Sequence, residues 1–412
     1  METAVQQTNE KIATLKSIVE DSIRDNSAEI VRLSQEIHAD AEVSWEEHKS
    51  VARLAAVMRA GGFDVEVGAY GVETGLEASF GDGDLTVAIC AEYDALPGVG
   101  HACGHNMIAA AGAGAAIALS KVAAEAGLRI KLLGTPAEEH GGGKVSMLTA
   151  GAWEDVDFSL MVHGNSGQDI HTDAFDSTAV DRFEVEFTGL TAHAAGAPEH
   201  GINAGSAATI ALTSIAHLRQ HIISADANLN AVVSKGGEAT NIIPDKSYIQ
   251  VEVRAYDLDQ WRDLKRRTLA CFEGAALATG CTWEFRATEH PYAPMVHEAQ
   301  LGRFWDANLI AIGRTPSDTK RNRGGSTDMG NVSQVVPSIH GMVAVLGSDA
   351  VPHNPDFTAA AASPEGDQAV LDGATLVAWT VIDAALTPET RSDLQRRRQD
   401  RPAGATRVTL QA

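Results

Sequence analysis

The chain has 412 residues and a formal net charge of -23, because 55 acidic residues outnumber 32 basic ones. A surface this acidic repels nucleic acid and anionic lipid, so neither is expected as a partner. Residues 1–11 are polar and resemble no signal peptide, and we find no unbroken apolar run of membrane-spanning length. We therefore expect a cytoplasmic protein, which at this length has two domains and a tail.

The four cysteines are few for a chain of this length and form no C-x-x-C pair. This argues against a disulfide scaffold and against a structural zinc knuckle. Cys90 lies inside an apolar strand pattern and is expected in the core. One of the cysteines can still be a metal ligand.

The first 180 residues alternate between helix and strand patterns. Apolar positions at three- and four-residue steps predict helices over residues 10–38, 46–60 and 105–126. Short β-rich runs predict strands over residues 64–67, 75–80, 85–91, 129–133 and 157–162. Strand, helix and strand with short links are typical of a βαβ unit, so we expect an α/β fold with a mostly parallel sheet and helices on both faces.

The pattern changes over residues 181–290, which we interpret as an inserted α+β domain. Strands are predicted over 182–187, 228–234, 247–255 and 282–287, and helices over 203–221 and 258–279. The order β-α-β-β-α-β is ferredoxin-like. Polar and apolar residues alternate along two of these strands, so one face of the sheet should meet solvent or a partner.

From residue 291 the α/β pattern resumes and completes the first domain. It predicts helices over 298–312 and 368–385, a glycine-rich loop over 321–328 and a strand over 338–346. We therefore expect a discontinuous catalytic domain (1–180 and 291–390) around the inserted domain. Residues 391–412 contain Arg396, Arg397 and Arg398 and show no apolar periodicity, so a disordered tail is predicted.

Potential metal ligands follow four of the predicted strands of the first domain, and ligands bind at the carboxyl ends of strands in such sheets. They are Cys103, His105, Glu139, His163 and His353. Thiolate, imidazole and carboxylate together suit Zn²⁺ or a related transition ion and not Mg²⁺ or Ca²⁺. Five ligands exceed what one catalytic ion with an open position takes, so two divalent ions are predicted.

Glu138 and Glu139 follow the second of these strands and are expected to differ in role. Adjacent side chains point in different directions, so Glu139 can bind metal while Glu138 faces the water that attacks. Glu138 is then a candidate general base that later returns the proton to a leaving amine. A pair of solvated loop carboxylates is the alternative, and the neighbouring Gly141–Gly143 segment weighs against it because it permits close backbone approach.

An ordered set of motifs resembles one enzyme family over about residues 30 to 385. The motifs are E-Y-D-A-L-P-G-V-G-H-A-C-G-H (92–105), T-P-A-E-E (135–139), V-H-G (162–164), G-L-T-A-H-A (189–194), T-N-I-I-P-D (240–245), S-T-D-M-G-N-V-S (326–333) and H-N-P-D-F (353–357). They resemble the dinuclear metallo-amidohydrolases and carboxypeptidases, especially the branch with p-aminobenzoyl-glutamate hydrolase and β-alanyl-lysine-type dipeptidases.

The resemblance implies Glu138 as the base and the same five metal ligands. It also implies that the inserted domain is a lid that forms a homodimer and lends His193 to the partner's site, where an imidazole can stabilise an oxyanion. Asn241 and Arg254 would hold the amide and the carboxylate of the substrate, since arginine can bind a carboxylate through two hydrogen bonds. The residues alone do not select these three, because an arginine at a strand end is more often a surface charge and a histidine after Thr-Ala is more often a helix cap or a surface residue.

The chain departs from the wider family at two positions. Glu92 and Cys103 stand where many members have a histidine and a bridging aspartate, and Asp94 is expected to orient a ligand imidazole. The native metal and the bridging role of Cys103 are therefore open. Thiolate ligation favours zinc, with manganese, cobalt and nickel as alternatives.

Other enzyme classes fit the sequence less well. It has no G-x-S-x-G motif for a serine hydrolase and no complete glycine-rich nucleotide-binding motif. A non-enzymatic metal-binding scaffold would not need Glu138, which is present. We therefore expect a hydrolase of the amide bond in N-acyl or aryl-acyl amino acids or small dipeptides, with exopeptidase action on short peptides that have a free carboxylate as the alternative.

Overall fold

The computed structural model describes residues 2–222, 226–319, 321–407 and 410, with side chains from residue 6 onward. The chain divides into two compact units. The first unit comprises Met1–Asp176 and Met295–Thr409, and the second contains Ser177–Pro294 together with Leu410. The boundaries fall within a few residues of the predicted ones at 180 and 291.

The first unit contains a six-stranded sheet with the order β1-β2-β4-β3-β5-β12. Its strands are β1 (Asp64–Val67), β2 (Leu76–Phe80), β3 (Leu85–Ala91), β4 (Leu128–Gly134), β5 (Phe158–Gly167) and β12 (Ser338–Leu346). β4, β3, β5 and β12 run parallel, whereas β1 and β2 are antiparallel to their neighbours. β6 (Phe175–Asp176) and β11 (Asn322–Arg323) form a separate short parallel pair. The predicted mostly parallel α/β fold is confirmed.

Helices surround this sheet. They are α1 (Glu2–Asp25), α2 (Ser27–Asp40), α3 (His48–Ala60), α4 (His105–Ser120), α5 (Ala123–Ala126), α6 (Gly143–Ala150), α9 (Ala299–Ala311), α10 (Met329–Ser333), α11 (Pro355–Ala360), α12 (Pro364–Leu386) and α13 (Pro388–Gln399). Two predicted helices are each divided, at Asn26 and at residues 121–122. At Gly114 of α4 a Cβ would lie 2.8 Å from the end of the Ile30 side chain, so Ile30 would have to move if this position were larger.

Helix α12 is long and apolar enough to cross a membrane by length and composition, contrary to the expectation that no stretch would be. However, 72% of its most apolar window is buried inside the fold. It packs against α4, α1 and α9. These contacts are those of a central core helix, which is apolar because other helices surround it.

The predicted disordered tail is wrong over residues 391–399, because residues 388–399 form α13. The single apolar anchor, Leu394, is buried. The basic residues bind the first unit: Arg391 donates to the carbonyl oxygen of Ala126 at 3.0 Å, and Arg398 donates to the buried Asp157 at 2.8 Å. The apolar periodicity of the sequence did not predict this helix, because polar contacts and not a row of apolar residues attach it to the first unit. Residues 408–409 and 411–412 lie outside the described part of the chain.

The second unit is a four-stranded antiparallel sheet with the order β10-β7-β9-β8. Its elements are β7 (Ala179–Thr188), α7 (Ala204–Arg219), β8 (Ala227–Lys235), β9 (Lys246–Ala255), α8 (Leu258–Thr279) and β10 (Thr282–Ala287). Phe183, Val185 and Phe187 of β7 are buried and alternate with partly exposed polar residues. The predicted ferredoxin-like order of elements is present.

Candidate metal centre

The structure brings together the five predicted metal ligands. One ligand atom each from Cys103, His105 and His163 lies within 4.8 Å of the others, and the same holds for Cys103, Glu139 and His353. Cys103 belongs to both groups, and its Sγ lies 3.5 Å from His163 Nε2. Two overlapping groups with a shared thiol can hold two neighbouring ions.

Local backbone structure positions these side chains. Cys103 and Gly104 form the turn before α4, where Gly104 has φ 79°, and His105 is the first residue of the helix. His163 lies inside β5, which extends to Gly167, so it does not follow the strand as predicted. Glu139 lies between β4 and α6, and His353 precedes α11.

Hydrogen bonds select one nitrogen of each ring in the first group. His105 Nδ1 lies 3.1 Å from Asp94 Oδ1, and His163 Nδ1 donates to the carbonyl oxygen of Gly164 at 2.6 Å. Asp94 Oδ2 also accepts from Ser44 at 2.8 Å and from the backbone N–H of Glu139 at 3.0 Å. Asp94 therefore orients His105 as expected and also fixes the loop of Glu139. The Nε2 atoms remain available to a metal.

Unpartnered buried atoms test whether a metal fits these residues. His105 Nε2, Glu139 Oε1 and Glu92 Oε2 are buried without a hydrogen-bond partner among the described residues. Such atoms cost free energy unless something binds them. A nitrogen and carboxylate oxygens beside a thiol form the donor set that zinc-like ions prefer, so the residues fit the predicted ions.

The side chain of Glu138 lies next to the ligands. Its Oε2 is 3.8 Å from His105 Nε2, and the residue is 8% exposed. Burial raises its pKa well above the ordinary value, and the charges of Glu92 and Glu139 act in the same direction. Burial also raises the pKa of the Cys103 thiol, with Glu139 adding to the effect. Bound cations would oppose both shifts and favour carboxylate and thiolate.

Strained backbone surrounds the two glutamates. Ala137 has φ 57° and His353 has φ 67°, although neither is glycine. Left-handed residues of this kind cluster at functional sites. The buried Glu47 accepts from the backbone N–H of Ala137 at 2.8 Å and holds this conformation. The indole of Trp45 packs so closely on Gly141 that a Cβ there would lie 2.3 Å from its Nε1.

Sequence reasoning missed several groups around the centre. Lys144 is fully buried and contacts Glu92 and Asp328, and the ring of His340 stacks on His163 with centroids 5.3 Å apart. Asp328 lies in the quoted motif 326–333 and Lys144 directly follows the Gly141–Gly143 segment, but nothing in the sequence indicated that the two residues meet.

The three predicted substrate-binding residues lie in the second unit. His193 pairs with Ile242 in a short antiparallel bridge, and the N–H of Ala194 donates to the carbonyl oxygen of Asn241 at 3.0 Å. Arg254 lies on β9 and donates to both carboxylate oxygens of Glu252 at 2.8 and 3.0 Å. His193 and Asn241 are thus neighbours, whereas Arg254 binds a carboxylate of its own strand.

Overlapping ligand groups at a mostly parallel sheet, with a buried glutamate beside them, define the class of a metal-dependent hydrolase. The chain belongs to the peptidase family M20/M25/M40, which residues 88–373 match. This confirms the predicted family and enzyme class.

The relatives extend over most of the chain. An Xaa-Arg dipeptidase of Mus musculus is 33% identical over 400 residues, covering 92% of this chain and 90% of the relative. One of the p-aminobenzoyl-glutamate hydrolase subunits of Escherichia coli (strain K12) is 29% identical over 65% of this chain and 59% of its own length. A Bacillus subtilis structure, described as a dinuclear metal binding peptidase of the M20 family, has TM-score 0.67 and 20% identity, covering 87% of this chain and 98% of that chain. It supports the fold.

Proposed function

We propose that the protein hydrolyses the amide bond of dipeptides or of N-acyl and aryl-acyl amino acids with a free carboxylate, using two divalent ions. The observation that carries this is the pair of ligand groups that share Cys103, with Glu138 beside them. The Xaa-Arg dipeptidase and p-aminobenzoyl-glutamate hydrolase among the relatives support short substrates of these two kinds.

The residues of the first unit would have different roles in the proposed hydrolysis. A bound pair of ions supplies Lewis-acid polarisation and lowers the pKa of water. Glu138 accepts a proton from the attacking water and returns it to the leaving amine. Asp94 holds the ring of His105, and the carbonyl of Gly164 holds that of His163, so both ligands keep one tautomer. We propose zinc as the native metal, with manganese, cobalt and nickel as alternatives.

The second unit is proposed to recognise the substrate and to form a homodimer. Arg254 would bind the substrate carboxylate, Asn241 the amide and His193 of the partner the oxyanion, as the resemblance implies. The edge strand β8 supports dimerisation, because its Val232 is 58% exposed and an edge strand can pair with another chain. Sedimentation at several protein concentrations tests this, and a monomer throughout would contradict it. A cytoplasmic location stays a proposal.

A substrate panel on metal-reconstituted protein tests the function. Metal-free protein is reloaded separately with zinc, manganese, cobalt or nickel and incubated with Xaa-Arg dipeptides, N-acetyl amino acids and p-aminobenzoyl-glutamate. Liquid chromatography should detect hydrolysis products in at least one class, and substrates with amidated carboxyl ends should react more slowly. If two ions bind and no class is cleaved with any metal, the proposed substrates are wrong.

A further inference from the structure

Three charged side chains form a buried triad beside His105. Lys144 Nζ lies 2.5 Å from Glu92 Oε1 and 2.7 Å from Asp328 Oδ1. The backbone N–H of Lys144 also donates to Asp328 Oδ2 at 2.8 Å. The side chains of all three residues are at most 1% exposed. The triad therefore lies in a dry environment where each charge must be balanced.

The triad has two carboxyl groups for one lysine. Asp328 engages Lys144 through both of its oxygens, one on Nζ and one on the backbone N–H. Glu92 contacts Lys144 through Oε1 alone, so its second oxygen remains for another partner. A buried polar atom without a partner is costly, and a nearby cation would remove that cost.

The second oxygen of Glu92 points to the place where that cation would lie. Glu92 Oε2 has no hydrogen-bond partner among the described residues and lies 3.5 Å from His105 Nε2, which also has none. One ligand atom each of Glu92, His105 and Glu138 lies within 4.8 Å of the others. Two unpartnered ligand atoms side by side in the core are typical of residues that share one ion.

We propose that Glu92 is a sixth metal ligand, bound to the ion that Cys103, His105 and His163 hold. This inference rests on the proposed two-ion centre and gives its halves different numbers of ligands. Cys103, His105, His163 and Glu92 would hold the first ion, and Cys103, Glu139 and His353 would hold the second. Lys144 is then a positioning residue that binds Oε1 and leaves Oε2 for the metal.

Metal content measures this directly. Wild-type protein and the Glu92→Gln variant are equilibrated with the same buffered zinc concentrations, and bound zinc is counted by plasma mass spectrometry. Wild type should bind two ions per chain, whereas Glu92→Gln should lose one of them at concentrations that saturate wild type, with at least about tenfold weaker affinity. The visible absorption of the cobalt-loaded variant should change as well, because a four-ligand ion loses one ligand.

The Asp181→Asn variant is the matched control. Asp181 Oδ2 lies 2.6 Å from the buried Lys265 in the second unit, so the variant also deprives a buried lysine of its carboxylate. It should keep both ions. If Glu92→Gln does not fold, Glu92→Asp retains the charge but withdraws the oxygen by one methylene, and it should also bind one ion more weakly. Either Glu92 variant with wild-type affinity for both ions would overturn the inference. Wild type with fewer than two ions would instead overturn the two-ion centre itself.

Discussion

In the first unit the predicted metal ligands have buried atoms without a hydrogen-bond partner in the described part of the chain, whereas in the second unit Arg254 and Lys265 are already paired with carboxylates. His105 Nε2 and Glu139 Oε1 are buried without hydrogen-bond partners. In the second unit Arg254 binds Glu252 through two nitrogen atoms, and Lys265 forms a buried ion pair with Asp181. The metal ligands are therefore arranged before a cation arrives, but a substrate carboxylate must compete with Glu252 for Arg254.

Because of this difference, the first unit should bind its metal ions more strongly than the second unit binds a substrate carboxylate. A preformed ligand set loses little conformational entropy when it binds, so most of its interaction energy appears as affinity. Exchanging one carboxylate for another at Arg254 gains little net energy, because an existing charge-assisted pair is lost. Changes in the first unit should therefore alter function more strongly than changes in the second.

Glu138→Gln is the largest expected change. It removes the group that accepts and returns the proton but keeps the shape of the side chain, so turnover should fall by about 10² to 10⁴-fold. Metal content, measured by plasma mass spectrometry, should stay near two ions per chain. If turnover survives, Glu138 is not the base; if metal is lost as well, Glu138 has a ligand role.

Asp94→Asn tests whether the ligands are held in place before metal binds. The amide cannot accept hydrogen bonds from His105, Ser44 and the Glu139 backbone as the carboxylate does, so metal affinity should fall by about 10- to 100-fold. A competition titration with a chromophoric chelator measures this. Ser44→Ala removes one of the three hydrogen bonds and should lower affinity less. Equal affinity of wild type and Asp94→Asn would show that the site does not depend on this carboxylate.

Arg254→Met tests the second unit. If Arg254 binds the substrate carboxylate, KM for free-acid substrates should rise about tenfold. This is near the lower end of the effect expected for losing a charged hydrogen bond, because Glu252 already competes for Arg254 in the wild type. Carboxamide analogues should be unaffected. Arg286→Met is the control, since Arg286 is exposed on the same sheet and pairs with Glu184. An equal rise for acids and amides would exclude a carboxylate clamp.

The sequence predicted the ligands because most of them follow a strand that the neighbouring residues already reveal. Cys103, His105 and Glu139 follow strands with clear apolar patterns, and parallel strands bring their carboxyl ends to one edge of a sheet. His163 was placed after its strand because the apolar run stops at Val162, whereas pairing with β12 continues the ladder to Gly167. Pairing with the adjacent strand β12 extends β5, and the residues of the extension carry no apolar pattern that would predict it.

The buried triad and α13 could not be predicted for a different reason. Glu92, Lys144 and Asp328 lie far apart in the chain and are charged residues that usually face solvent. Only the fold shows that they meet. Similarly, the arginines of α13 suggested a solvated tail, but Arg391 and Arg398 bind a carbonyl oxygen and a buried carboxylate of the first unit. The periodicity of apolar residues indicates which side of a helix is buried, but it gives no sign of polar contacts between residues that are distant in the sequence.

Glu252→Gln is the smallest expected change and tests whether the charge pairs of the second unit stabilise it. The pKa of Glu252 falls from an ordinary value of 4.5 to about 2, chiefly because Arg254 donates hydrogen bonds to the carboxylate. Burial acts in the opposite direction, and Arg182 lowers the pKa further. A lowered folded-state pKa stabilises the protein above pH ~4.5, and this contribution is lost as the pH falls toward ~2. Because the pair is partly exposed, solvent screens it, and the variant should melt only about 2 °C below wild type at pH 7.

At pH 4 the melting difference between wild type and Glu252→Gln should shrink, since most unfolded chains then carry a protonated Glu252 and the advantage of the folded carboxylate is partly gone. Scanning calorimetry at both pH values measures it, with the exposed Glu273→Gln on α8 as a control that should match wild type throughout. A difference that stays constant would mean that Glu252 acts through packing. Arg254 would then be less committed to Glu252, and a substrate carboxylate would compete for it more easily.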